Sequence, residues 1–223
     1  MEQMVDQLAQ AGVLRIAPRK RSCWYLATRA VISRTAALIV LVLSSPLMAA
    51  IALAIRLDSE GPVVFRQVRV GKNGRRFMMY KFRTMCNGAH DMLDDVRHLN
   101  EEPTQLIIRI KDDPRVTRLG RFLRATSLDE LPQLVNILLG QMAIVGPRPP
   151  SPEEVEQYDE YQIQRLRTTP GLTGLWQVSG RKDLPFDDMV RLDIEYAEKQ
   201  SLLFDLWIVA KTVPAVLRAE GAR

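Results

Sequence analysis

Two adjacent carboxylates, Asp129 and Glu130, stand between apolar residues in the segment from Thr126 to Leu134. Pro132 indicates that a helix begins there, because proline is tolerated in the first helical turn and is costly further in. A carboxylate near a helix N-terminus lies at the positive end of the helix dipole, where phosphate groups also bind well. Such a carboxylate could act toward a phosphate ester as a nucleophile or as a magnesium ligand.

The same residues admit a purely structural interpretation. Ser127 and Glu130 have the spacing of a capping box, in which the two side chains satisfy backbone N–H groups at the start of a helix. Taken alone, the segment favours the capping box. The rest of the chain has to decide between the two interpretations.

Composition narrows the classes of function. The 223 residues can form one domain with at most a second small element, and the net charge of +5 suits anionic partners such as nucleic acid, phosphorylated substrates or a membrane surface. Cys23 and Cys86 make neither a metal-binding spacing nor a disulfide framework. With only His90 and His98, both on a polar stretch, neither histidine base catalysis nor a histidine zinc site is expected.

An apolar stretch runs from Thr35 to Ile55. If it lies in a membrane, it sets the position of the carboxylates relative to that membrane. As a straight helix it would reach about 31 Å, close to the hydrocarbon thickness of a bilayer. A single spanning helix is therefore the simplest interpretation. However, Ser45 and Pro46 interrupt its middle, and proline removes a backbone hydrogen bond and kinks a helix.

The flanking charges favour a different topology. Basic residues lie on both sides of the stretch, and the positive-inside rule places such clusters in the cytoplasm. Both ends can be cytoplasmic only if the segment enters one leaflet, bends and returns. We therefore predict a re-entrant helix–break–helix, in which Ser45 and Pro46 are structural residues at the bend and the serine hydroxyls satisfy the freed carbonyls. The spanning helix stays the alternative.

The remaining pattern predicts a mostly helical α+β fold. Two strands, Val63 to Val70 and Phe77 to Phe82, flank an Asn-Gly turn typical of a hairpin. Helical spacing follows over Leu131 to Leu139, after the N-cap Ser151, and over Phe186 to Leu217, whose apolar face suits a core or a membrane surface. We divide the chain into an N-terminal amphipathic segment (1–28), the re-entrant membrane helix (29–57) and a cytoplasmic domain (58–223).

A series of short motifs occurs in one order between about Arg29 and Ala219. They are Leu-Ser-Ser-Pro-Leu at 43–47, Gly-Pro-Val-Val-Phe at 61–65, Tyr-Lys-Phe-Arg-Thr-Met at 80–85, Asp-Pro-Arg-Val-Thr at 113–117, the carboxylate segment at 123–133, Val-Gly-Pro-Arg-Pro at 145–149 and Pro-Gly-Leu-Thr-Gly-Leu-Trp-Gln-Val-Ser-Gly-Arg at 170–181. With these motifs the chain resembles the bacterial sugar transferases, the monotopic polyprenyl-phosphate phosphoglycosyl transferases.

The resemblance implies transfer of a sugar 1-phosphate from a nucleotide diphosphate sugar, usually a UDP-sugar, to a polyprenyl phosphate such as undecaprenyl phosphate, with release of UMP. The product would begin a bacterial surface glycan (exopolysaccharide, capsule or O-antigen) among the lipids at the cytoplasmic face of the inner membrane. The family is thought to form an aspartyl phosphosugar and to require Mg²⁺. This implies Asp129 as the nucleophile, Glu130 as its partner, and both at the metal. The chain is similar to the catalytic core alone, without the upstream helices and domain of larger members.

Basic residues in the motifs are candidates for the substrate phosphates, because a guanidinium fork suits phosphate oxygens. Arg124, five residues before Asp129, is the first choice, and Gln177 could contact the nucleotide. The further candidates are Arg148, Lys81, Arg83 and Arg181. For each of them, a solvated surface position is the competing interpretation.

Two other functions remain as alternatives. One is a non-catalytic membrane scaffold of a glycan assembly complex. The other is a basic nucleic-acid-binding protein, but the apolar segment and the missing recognition-helix motif count against it, so no nucleic acid partner is expected. The sugar (glucose, galactose or an N-acetylated sugar), the lipid chain length and the oligomeric state (monomer or homodimer) are left open.

Overall fold

The computed structural model describes residues 21–101, 110–180 and 184–217. In these ranges the chain is mostly helical with a small hairpin, as predicted, and it has a second small sheet. The helices are α1 (Cys23–Asp58), α2 (Leu93–Val96), α3 (Arg118–Ala125), α4 (Gln133–Leu138), α5 (Pro152–Glu156), α6 (Leu175–Ser179), α7 (Phe186–Lys199) and α8 (Leu202–Leu217). The strands are β1 (Val64–Val70), β2 (Arg76–Phe82), β3 (Ala143–Val145) and β4 (Gly171–Thr173), and 3₁₀ turns cover Lys72–Gly74, Arg97–Leu99, Leu128–Glu130 and Gln162–Arg167.

Helix α1 is one continuous helix of 36 residues, long and apolar enough to cross a membrane by length and composition. The predicted break at Ser45 and Pro46 is therefore wrong, since Pro46 lies inside the helix. The physical reason is local. Pro46 leaves the carbonyl of Val42 without its usual N–H donor, and the Ser45 hydroxyl donates to that carbonyl at 2.8 Å.

The start of α1 also differs from the predicted domain boundary. The helix begins at Cys23, so residues 23–28 belong to it rather than to a separate N-terminal segment. Residues 1–20 of the predicted amphipathic segment lie outside the described residues.

One face of α1 packs against the rest of the protein along both halves of the helix. Ala37 contributes to an apolar cluster with Met79 and Ile137, while Ile51 and Ile55 belong to a second cluster with Phe82 and Leu123. The opposite face presents exposed apolar side chains, including Val31, Ile32, Leu38, Ile39, Val42, Leu43, Leu53 and Leu57. The helix is therefore attached to the folded body over its length and leaves an apolar surface uncovered by the described residues.

The hairpin of β1 and β2 is confirmed. The strands pair antiparallel from Val64 opposite Phe82 to Val70 opposite Arg76. Asn73 and Gly74 have positive φ angles of 56° and 78°, which these residue types adopt most readily and which tight hairpin turns require. The second sheet was not predicted, because its parallel strands β3 and β4 have three residues each and are too short to show alternation.

Polar networks join distant parts of the fold. Arg29 on α1 donates to Asp205 on α8 at 2.8 Å and to the hydroxyl of Tyr196 on α7 at 2.8 Å, and that hydroxyl donates to Asp205 at 2.6 Å. Because Arg29 and Tyr196 are buried, this network fixes the first described helix to the last two.

Helix α8 is largely apolar, and its apolar side chains divide between the core and an exposed surface. Ile208 is fully buried beside Tyr196, whereas Leu203 is 81 % exposed and Leu206, Trp207 and Val213 are also exposed. The helix therefore presents a second apolar surface in addition to that of α1.

A buried ion pair supports the body behind the candidate site. Arg165 pairs with Asp193 on α7 and also donates to the hydroxyl of Tyr158 at 2.9 Å. Burial raises the pKa of Asp193 to about 6, although the Arg165 charge opposes the shift. The pair joins the 3₁₀ turn Gln162–Arg167 to α7 inside the protein.

We predict that Arg165→Leu destabilises the protein by about 3–5 kcal/mol, because it leaves the Asp193 carboxylate buried without a cation. The double variant Arg165→Leu/Asp193→Leu should recover most of this loss, because no buried charge remains. Urea unfolding in detergent micelles measures both. Equal destabilisation of the single and double variants would contradict the assignment.

Candidate active site

The two carboxylates occupy the 3₁₀ turn Leu128–Glu130, between α3 and α4. Ser127 precedes them in the left-handed conformation (φ 56°), and its side chain forms no capping hydrogen bond. The capping box predicted for Ser127 and Glu130 is therefore wrong. The N-cap predicted at Ser151 is confirmed, and there Ser151 and Glu154 form a capping box with both of its hydrogen bonds.

Glu130 instead pairs with Lys81 from strand β2, at 2.7 Å between Nζ and Oε1. Gln133 also donates to the Glu130 carboxylate. Burial opposes ionisation of Glu130, but the charges of Lys81 and Arg148 and these hydrogen bonds outweigh it and hold the pKa of Glu130 below its usual value. Glu130 is therefore an ionised, well-positioned carboxylate.

Asp129 has a contrasting environment. It is only 8 % exposed, and burial together with the neighbouring Glu130 charge raises the pKa of its carboxyl, while Lys81 and Arg124 partly offset the shift. Among the described residues no cation forms an ion pair with Asp129. Its carboxylate is therefore surrounded by positive charge without being held in a direct ion pair.

Arg124 reaches the dyad from the last turn of α3. Its Nε donates to the hydroxyl of Thr84 at 2.9 Å, and the charge of Asp129 acts on it. Close packing sets this position, since a Cβ on Gly120 would overlap the carbonyl oxygen of Thr84, which accepts from the N–H of Thr117 at 3.0 Å. Glycine at position 120 thus lets α3 approach closely enough for Thr84 to orient Arg124.

A narrow cavity of about 20 Å³ opens beside Glu130. Lys81 and Arg148 bring positive charge to it, and Gln177 reaches it from α6. The structure thus brings together four of the predicted residues, with Asp129 and Arg124 adjoining them. A diphosphate at the mouth of this cavity would meet several cations and one ionised carboxylate.

Arg69 lines the same cavity and was not predicted. It donates to the carbonyl of Pro149 and to Glu154, both at 3.3 Å, and burial together with the charge of Arg148 lowers its pKa to about 10. The pairing of the two hairpin strands could have predicted this position of Arg69. Because Phe65 opposes Lys81 and side chains alternate along a strand, Arg69 lies on the same sheet face as Lys81.

Arg83 was predicted to contact the substrate phosphates, but in the structure it lies at the end of α1 and not at the dyad. It donates to the carbonyl of Ser59 at 2.6 Å, to the Ser59 hydroxyl at 2.9 Å and to the carbonyl of Ile55 at 3.4 Å. The last carbonyls of a helix lack intrahelical partners, and Arg83 satisfies them at the end of α1. Arg181 lies outside the described residues.

Comparison with known proteins is consistent with this arrangement. The family described as bacterial sugar transferase matches residues 24–219. The chain belongs to this family. Its dyad turn, its hairpin and all but the first residue of the long apolar helix fall within the matched range.

Curated relatives of this bacterial sugar transferase differ in length. Exopolysaccharide production protein ExoY of Rhizobium meliloti is 43 % identical over 84 % of this chain and 84 % of its own. Undecaprenyl-phosphate galactose phosphotransferase of Salmonella typhimurium is 41 % identical over 83 % of this chain and 39 % of its own. UDP-glucose:undecaprenyl-phosphate glucose-1-phosphate transferase of Escherichia coli K12 is 41 % identical over 79 % and 37 %. The chain thus spans less than half of the last two.

The dyad of this sugar transferase fits a magnesium ion that arrives with a substrate. No group of three or more acidic, histidine or cysteine side chains that could hold a metal occurs in the described ranges. Magnesium is usually bound through one or two carboxylates together with waters and substrate phosphates, rather than in an all-protein cage. Asp129 and Glu130 supply those two carboxylates beside the cavity.

The left-handed backbone conformation of Ser127 costs about 1–2 kcal/mol of conformational free energy. Glycine adopts this conformation without that cost, and for a β-branched residue the cost is larger. We predict that Ser127→Val lowers the free energy of unfolding by about 1–2 kcal/mol, whereas Ser127→Gly stays within about 1 kcal/mol of the wild type. Thermal unfolding in detergent micelles compares the two variants. Equal stability of the valine and glycine variants would show that this backbone conformation is not required.

Proposed function

We propose that this bacterial sugar transferase is a membrane-bound phosphoglycosyl transferase. It moves a sugar 1-phosphate from a UDP-sugar to a polyprenyl phosphate such as undecaprenyl phosphate, and it releases UMP. The observation that carries the proposal is the buried Asp129 carboxylate, on which the charges of Lys81 and Arg124 act without a direct ion pair from a described residue, next to Glu130, on which Arg148 acts. The printed names of relatives, which include undecaprenyl-phosphate galactose and glucose phosphotransferases, also support it.

In the first step an Asp129 oxygen attacks the phosphorus that bears the sugar. The bond between this phosphorus and the oxygen bridging to the UMP phosphate breaks, and UMP leaves with the electron pair. An anionic nucleophile approaches a diphosphate only if charge is neutralised, and Lys81, Arg124 and Arg148 are placed to do so. The product of this step is an aspartyl phosphosugar.

In the second step a phosphate oxygen of the lipid attacks the same phosphorus and displaces the Asp129 carboxylate. The lipid then carries the sugar through a diphosphate, and the enzyme is regenerated. A covalent intermediate lets a soluble nucleotide sugar and a membrane lipid use one site in turn. This explains why a single carboxylate can serve both partners.

Glu130 forms an ion pair with Lys81 and so positions the Lys81 ammonium beside Asp129, the proposed nucleophile. Asp129 and Glu130 would also hold Mg²⁺, which when bound neutralises charge on the substrate diphosphate. The pKa of Asp129 is raised and the pKa of Glu130 is lowered, so the two carboxyls differ in basicity. Glu130 is the permanent anion, and Asp129 is the more basic carboxylate, which suits nucleophilic attack.

We place the enzyme at the cytoplasmic face of the bacterial inner membrane, where it begins an exopolysaccharide, capsule or O-antigen type of glycan. ExoY, named for exopolysaccharide production, supports this role because it matches over most of both chains. The alternative of a non-catalytic scaffold is not favoured, because a scaffold needs no buried, cation-surrounded aspartate.

Asp129→Asn should abolish UMP release, with a loss of at least about a thousandfold, because an amide cannot form the acyl phosphate. The assay uses membranes supplied with polyprenyl phosphate and a panel of UDP-sugars. Chelation of divalent metal should stop the wild type as well. The neighbouring variant Ser127→Gly is the control for folding and membrane insertion. Substantial transfer by Asp129→Asn would overturn the assignment of Asp129 as the nucleophile, and no effect of chelation would favour the scaffold.

The contacts of α1 also support a topology in which both of its ends face the cytoplasm. Arg29 near one end and Ile55 near the other are buried against the same folded body, although about 39 Å of helix separates them. A helix crossing about 30 Å of hydrocarbon would draw that charged body into the bilayer. We therefore propose that the continuous helix α1 is inserted into one leaflet by its exposed apolar face and has both ends at the cytoplasmic side, with Pro46 in its deepest part.

Cysteine labelling tests this topology. With Cys23 and Cys86 replaced by serine, single cysteines at Arg15 and Arg75 should both react with an impermeant maleimide in inverted membrane vesicles and not in spheroplasts. Labelling of the two positions from opposite sides would restore the spanning helix.

A further inference from the structure

A second cavity, of about 140 Å³, lies beside the first half of α1. It shares no lining residue with the cavity at Glu130. Ile137 and Met142 line the second cavity, and they pack in one apolar cluster with Met79, which lines the first. This cluster therefore separates the two cavities, and the second belongs to no step of the proposed reaction.

The second cavity has cations at its rim. Arg34 and Lys72 both line it, and neither side chain forms an ion pair or hydrogen bond with the described residues. The guanidinium of Arg34 lies over Gly140, where a Cβ would overlap it. The backbone of Gly140 has φ of 74°, which favours glycine, so the surface under Arg34 is shaped by a residue without a side chain.

A buried hydroxyl faces the same space. Ser33 lines the cavity and is only 7 % exposed, yet within the described part of the chain its side chain has no hydrogen-bond partner. The Ser33 hydroxyl is therefore available to donate to a ligand with an acceptor oxygen. The remaining wall is largely apolar and includes Leu26 and Ala30.

The position along α1 identifies the ligand class. Arg34 immediately precedes the apolar stretch that begins at Thr35, which is the level where basic side chains meet lipid phosphates. Leu38, one turn further, is exposed and continues an apolar surface away from the cavity. Cavities of about 150 Å³ admit groups as large as benzene, so a phosphate group fits. A free anion would make no use of the adjoining apolar surface.

We propose that this cavity binds the phosphate of an anionic phospholipid, with Arg34 and Lys72 as its cations, Ser33 as a hydrogen-bond donor and the acyl chains along α1 beside Leu38. The site is a lipid-binding site separate from the Asp129 site. A bound phospholipid would fix the depth and orientation of the protein relative to the headgroup layer.

The experiment measures the thermal unfolding midpoint of the full chain in phosphatidylcholine micelles during titration with short-chain phosphatidylglycerol. The wild type should show a saturable rise in the midpoint. Arg34→Gln and Lys72→Gln should each raise the half-saturating concentration about fivefold. Ala30→Leu, which fills the cavity and keeps both charges, should also weaken the response.

Two matched variants separate this site from other causes. Arg56→Gln removes the same charge from the other end of α1, and Lys81→Gln removes a cation from the cavity at Glu130, and both should retain the wild-type response. An equal weakening by Arg56→Gln would indicate diffuse attraction, and weakening by Lys81→Gln would place the lipid at Asp129. Either result, or the same shift with inorganic phosphate at equal ionic strength, would overturn the proposal.

Discussion

Lys81 on the hairpin and Glu130 in the dyad turn are 49 positions apart in sequence, and their ion pair of 2.7 Å joins the two elements that form the site. The pair has several consequences. It keeps Glu130 ionised, it leaves Asp129 as the more basic carboxylate, and it holds a cation where substrate phosphate would enter. The hairpin also brings Arg69 to the same cavity, because Arg69 and Lys81 share a face of the sheet.

The second constraint is the attachment of α1 along its length. A proline in an apolar helix would ordinarily leave a carbonyl without a donor, yet the Ser45 hydroxyl satisfies the carbonyl of Val42 and the helix continues. The continuous helix can then hold the body at both ends, through Arg29 at one and through the carbonyls bonded by Arg83 at the other. A membrane element fixed in this way sets the level of the active site relative to the lipid.

Two apolar surfaces, on α1 and α8, stay uncovered by the described residues, and the Arg29 network connects the helices that carry them. Both surfaces therefore belong to one rigid arrangement rather than to independent anchors. This arrangement suits the proposed reaction with a lipid acceptor, in which the Asp129 carboxylate would have to reach a phosphate at a fixed depth. Basic side chains such as Arg34 mark where the apolar stretch begins.

Features with a local cause could be predicted from the sequence alone. The Asn-Gly hairpin and the capping box at Ser151 depend on neighbouring residues, and the family motifs suggested Asp129 and Glu130 as the candidate dyad. Features that depend on distant contacts required the tertiary structure. Glu130 pairs with Lys81 instead of forming a capping box with Ser127, and Arg83 donates to a carbonyl at the C-terminal end of α1. These partners are distant in sequence and come close only when the chain folds. Spacing along the chain carries no information about such partners.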